Sequence, residues 1–147
     1  MTILLSVVFI GLLGGMAVGL QSPMASILSQ RLGTLQSVFV VHLGGAIAVL
    51  LPMLFWGDGS FTEWRGVPWY VWGAGALGIM VIAGVSFAIP RVGAAASTML
   101  IVAGQLVIGA VLDHYGWLGV ERRPFRPEKL LGFLVIAAGL WLVLRPR

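Results

Sequence analysis

The sequence predicts an all-α integral membrane protein of five transmembrane helices. Three observations carry the membrane expectation. Of 147 residues, 59% are hydrophobic and 10% charged, whereas a soluble domain carries roughly 25% charged residues. The mean hydropathy is +1.03, and the apolar residues gather into runs long enough to cross a bilayer, which takes about 20 residues. Glycine, 21 residues in all, is dispersed through those runs, as transmembrane helices tolerate. The length suits one domain, residues 1–147.

The first span is expected over residues 3–22. Met1 to Gln30 carries no charged side chain. A cleaved signal peptide would be led by a basic segment, which this run lacks. The second span is expected over 35–56, from Leu35 to Trp56. The third covers 67–89 and opens at Pro68, a residue suited to a first helical turn. The fourth covers 92–112 and the fifth 128–145. The apolar part of the fifth, Leu130 to Leu144, is short, but Pro127 and Glu128 suit an earlier start, because proline fits the first position and an acid fits the positive helix end. An interfacial helix is the other reading of this segment.

Two connections stand out. The stretch Gly57 to Gly66 begins Gly-Asp-Gly-Ser, a turn cluster. The stretch Asp113 to Lys129 holds Pro124, Pro127 and half of the charged side chains. Trp56, Trp64, Trp69, Trp117 and Trp141 fall near span ends, where amphipathic rings sit at headgroup level. Gly11, Gly15 and Gly19 form two overlapping GxxxG steps, and Ala74 and Gly78 another small-xxx-small step. Such steps let helix backbones approach closely in lipid, either inside one protomer or along a dimer seam.

Positively charged loops stay in the cytoplasm. With five spans, Arg65, Arg122, Arg123, Arg126 and Lys129 lie on the side of the N-terminus, and Arg31, Arg91, Arg145 and Arg147 on the other. The near balance leaves two readings, a fixed orientation set by the 122–129 cluster or insertion both ways followed by inverted pairing. Arg91 opens the fourth helix and Asp113 closes it, both against the helix dipole. In an inverted pair, Arg91 of one copy would lie at the level of Asp113 of the other. Alternatively, each is a snorkelling anchor at the interface.

Polar groups inside lipid are costly and tend to be functional. The candidates for a substrate cavity are Gln21, Ser22, His42, Ser97, Thr98 and Gln105, with Ser86 a further polar residue in the third span. Gln21 and Ser22 precede Pro23, and a proline inside a long helix frees a carbonyl and can kink the helix. Broken helices often line transporter substrate sites. His42 has two readings, a proton site or a hydrogen-bonded packing residue. The chain has no cysteine, its two histidines lack companions at metal-ligand spacing, and no nucleophile–base constellation or phosphate loop is present. No catalytic residue, metal, cofactor or enzymatic activity is therefore expected. The scattered basic residues exclude a nucleic-acid surface.

Pro90-Arg91-Val92-Gly93-Ala94-Ala95, Val102-Ala103-Gly104-Gln105 and Leu112-Asp113-His114-Tyr115-Gly116 together resemble the YdcZ-type family of the drug/metabolite transporter superfamily. The likeness covers essentially the whole chain, including Gln21, Pro68-Trp69 and the looser His-Leu-Gly-Gly at 42–45. Ala25 stands where many members carry Asn, so a polar site at that turn does not transfer. The resemblance implies an inner-membrane exporter of a small molecule, one half of an inverted-repeat architecture, working by alternating access. Its implied partners are its substrate, membrane lipids and a second copy or a paired homologue. Two other functions are compatible with the residues: an accessory to a flippase of lipids or lipid-linked carriers, and a membrane scaffold or regulator that transports nothing.

Overall fold

A computed structural model describes residues 2–57, 59 and 61–145. Asp58 and Ser60 of the turn cluster, and Arg147 of the charge count, lie outside the described residues. Every regular element among the described residues is helical: α1 (Thr2–Leu32), α2 (Thr34–Trp56), α3 (Ala74–Tyr115) and α4 (Pro127–Leu144), with short 3-10 turns at Phe61–Gly66, Trp69–Gly73 and Trp117–Gly119. Among the described residues, four helical stretches are long and apolar enough to cross a membrane: Ile3–Leu32, Thr34–Trp56, Trp69–Tyr115 and Pro127–Leu144. Most of their outward side chains are apolar, with Ile3, Leu54 and Trp69 more than two-thirds exposed. Such a surface is stable against hydrocarbon and a liability in water.

The chain divides into two compact units, residues 1–87 and 88–147. In the first, α1 runs 31 residues, about 46 Å, well past the expected end at residue 22. Pro23 lies inside it. Proline removes one backbone donor, and the Ser22 hydroxyl donates to the neighbouring Val18 carbonyl at 2.8 Å. The turn into α2 is a single residue, Gly33, at φ 101° and ψ 155°, a region essentially reserved for glycine. Its N–H donates to the Ser29 carbonyl at 2.9 Å, and its carbonyl accepts from the Ser37 N–H at 3.0 Å.

Small residues let α1 and α2 approach at this corner. Ala25, Ser26 and Ser37 are buried, and the Ser37 hydroxyl donates to the Ala25 carbonyl at 2.9 Å. Ser29 and Thr34 share a hydrogen bond of 2.9 Å, and Gln30 donates to Ser26 at 3.1 Å. The Ala25 that breaks the family pattern therefore works as a contact residue, its carbonyl serving the neighbouring helix. At the far end of the unit, Pro68 opens a 3-10 turn and α3 begins only at Ala74. The run Trp69-Tyr70-Val71-Trp72 is aromatic and β-branched, the residue types that lose most side-chain freedom in an α-helix.

The third and fourth expected spans form one element, α3, of 42 residues. Gly93, at φ 82° and ψ 167°, is a non-helical residue inside it. In the second unit α3 ends at Gly116, which adopts the left-handed conformation at φ 70° and donates to the Leu112 carbonyl at 2.8 Å. The chain then folds back over that helix end. The Arg123 N–H reaches the Asp113 carbonyl at 2.7 Å, Arg122 Nε the His114 carbonyl at 3.3 Å, and the Phe125 N–H the His114 Nδ1 at 3.1 Å. Phe125 stacks on Phe133 of α4. α4 opens as its residues suggest, with Pro127 in the first turn and Glu128 beside the positive end.

Candidate functional site

In the first unit three helices line an open-sided cavity of about 370 Å³. Its lining residues repeat at helical spacing: Val18, Gln21, Ser22 and Ala25 on α1, and Gly78, Val81, Ile82 and Val85 on α3. Residues at i, i+3, i+4 and i+7 share one helix face. From α2 come Val41, His42 and Gly45. The structure thus brings together three of the six candidate cavity residues, Gln21, Ser22 and His42, in an otherwise apolar wall.

The imidazole of His42 is held at both ends. Its Nδ1 lies 2.8 Å from the Val38 carbonyl one turn earlier. Its far edge lies against Gly78, where an added Cβ would sit 2.5 Å from Nε2 and 2.6 Å from Cε1. The Ala74–Gly78 step accordingly has a particular use, since Gly78 is the position that admits the ring.

The second unit carries another cavity, of about 390 Å³. Gln105, Gly109 and Asp113 contribute from α3, and Lys129 and Phe133 from α4. The Lys129 ammonium lies 3.2 Å from the Asp113 carboxylate, with both side chains about a third exposed. Lys129 is the residue that sequence reasoning missed, having entered it only as a loop charge. The hydrogen bonds that return the 113–129 connection to the helix end are what bring it back to α3. The cation offsetting Asp113 at the negative end of α3 is therefore on the same chain.

A charge swap checks this pairing. Reversing either partner alone, Asp113→Lys or Lys129→Asp, is expected to destabilise purified protein by about 1 kcal/mol, given that exposed pairs contribute about 0–1 kcal/mol and this pair is partly screened from water. The double reversal restores melting temperature beyond the sum of the single effects. Strictly additive effects would show that the two groups do not interact.

Ser97 and Thr98 line neither cavity. Ser97 is fully buried, and its hydroxyl, like that of Ser86, has no hydrogen-bond partner among the described residues. Arg91 stands two residues before the non-helical Gly93, so its position marks the interruption of α3.

Residues 6–142 match the family model described as "Putative inner membrane exporter, YdcZ". No curated protein and no solved structure matches the chain.

Proposed function

We propose that this chain, which belongs to the YdcZ family and is a multi-pass protein of the inner membrane, is half of a small-molecule exporter that crosses the bilayer five times and pairs with an inverted copy. The observation that carries this reading is the interruption at Gly93. An unbroken helix of 42 residues would be about 63 Å long, twice the roughly 30 Å hydrocarbon core. It would also place Arg91 far from any helix end. Two crossings, joined near Arg91 and Gly93, remove both difficulties and give the chain an odd number of spans.

An odd number of spans with nearly balanced loop charge lets one sequence supply both orientations. Each unit carries a cavity with a glutamine in its wall, apolar in the first and flanked by Asp113 and Lys129 in the second, which supports binding of a small-molecule cargo. No charged residue lines the first cavity, which favours cargo over a metal or proton-linked carboxylate site as its occupant. A contact between Arg91 of one copy and the α3 end of the other is part of the same proposal.

C-terminal reporter fusions test the arrangement. Alkaline phosphatase and green fluorescent protein fused after Arg147 should both be active in separate populations of wild-type cells. Two lysines added after Arg147 should drive the C-terminus to the cytoplasmic side, because added basic residues there reset orientation. Wild-type protein found in one orientation only would overturn inverted pairing of identical copies.

A further inference from the structure

We propose that the cavity of the first unit is an acceptor site: it takes an uncharged, largely apolar small molecule through an N–H or O–H group directed at His42 Nε2. The proposal rests on the export reading for the idea that this molecule is cargo, and it adds the chemistry by which the cargo is recognised.

The hydrogen-bonding state of the wall follows from partners already present. A carbonyl oxygen only accepts, so the 2.8 Å contact to Val38 puts the proton of a neutral His42 on Nδ1 and leaves a lone pair on Nε2. The Ser22 hydroxyl spends its proton on the Val18 carbonyl and offers the cavity only lone pairs. Gln21 offers both a carbonyl and an amide. Two of the three polar groups in the wall therefore present acceptors alone. A ligand with only acceptors would leave them facing lone pairs, whereas a donor satisfies them.

Gly78 packs on the Nε2 edge of the ring without a side chain, so it crowds the acceptor less than any other residue would. A Cβ at that position would sit 2.5 Å from Nε2, in the space where a donor atom has to lie. The remaining wall is Val, Ile, Ala and Gly, without Asp, Glu, Lys or Arg. An ion entering it would lose hydration and find no counter-charge. The volume, about 370 Å³, lies within the range of small-molecule pockets.

One aromatic scaffold tests all three features. Purified full-length protein in detergent is titrated with benzamide, N,N-dimethylbenzamide, benzoate and benzylammonium, with thermal unfolding as the readout. Benzamide should stabilise the protein with an apparent affinity at least about tenfold above that of N,N-dimethylbenzamide, the loss of a single good hydrogen bond. The two ions should give no shift. In His42→Phe and Gly78→Ala the benzamide preference should disappear. Equal affinity for the two amides, binding of either ion as tight as benzamide, or a preference that survives in His42→Phe would overturn the proposal. Should both variants fail to insert, the wild-type ratio still decides. Uptake of labelled benzamide into proteoliposomes, against empty vesicles, separates the two layers. Donor preference without uptake overturns export and leaves the site, and uptake without donor preference overturns the site and leaves export.

Discussion

Replacing Gly93 by Val should lower the stability of the protein by about 2–3 kcal/mol, read as a fall in thermal unfolding temperature in detergent. A non-glycine residue held in a sparsely populated backbone region costs about 1–3 kcal/mol, and at φ 82°, ψ 167° a β-branched residue falls at the upper end. Space is not the reason, since nothing lies within 4 Å of a Cβ at this position. Nor can the strain be relieved by straightening α3, because a continuous helix of this length would carry Arg91 into hydrocarbon. Gly104→Ala is the matched control. Gly104 also has open space around an added Cβ but sits in regular helix, where alanine is favoured over glycine by about 1 kcal/mol. That variant should be neutral or more stable. If Gly93→Val matched it, α3 would tolerate a helical residue 93 and the two-crossing reading would fail.

Gly93 also shows where sequence reasoning reaches its limit. Glycines are spread along the apolar runs, and their surroundings in sequence are alike: Gly93 and Gly104 both lie among Val and Ala. Only the path of the chain decides which one leaves the helical region. The same holds for α1. Pro23 is a sound signal for a break, yet the helix continues to Leu32, where Gly33 supplies a backbone conformation closed to other residues. Local chemistry did foretell the start of α4, because proline in the first turn and an acid at the positive end act without distant partners. The cavity of the first unit was legible in part. Gln21, Ser22 and His42 were visible as polar groups in apolar helices, and helical spacing puts Gln21 and Ser22 on the face shared with Val18 and Ala25. That Gly78 is the opposing wall depends on how α2 and α3 pack, which no single-helix pattern records. Lys129 was hidden for a similar reason. It lies sixteen residues from Asp113, and its approach depends on a connection anchored at Asp113 and His114 by backbone and side-chain contacts that no local sequence pattern announces.

Gln21→Leu and Gln105→Leu should each reduce transport at least about tenfold while leaving insertion and unfolding temperature unchanged or improved. The direction follows from what surrounds each amide. Gln21 and Gln105 are both exposed at the walls of their cavities, so neither is a packing element whose loss opens a void. Leucine has nearly the same length and is better tolerated by lipid, where polar side chains are costly. A purely structural amide would behave the other way, because removing one partner strands the other at about 1–3 kcal/mol. The loss of a single recognition hydrogen bond corresponds to about tenfold in affinity, which sets the size of the effect. The two substitutions also report separately. Gln21 lines the cavity of the first unit and Gln105 that of the second, so a loss confined to Gln21→Leu would place recognition in the first unit alone. Loss in both would mean that cargo or the transport cycle requires both walls. Wild-type transport in both variants would remove the amides from the mechanism and leave the scaffold reading in possession of the site.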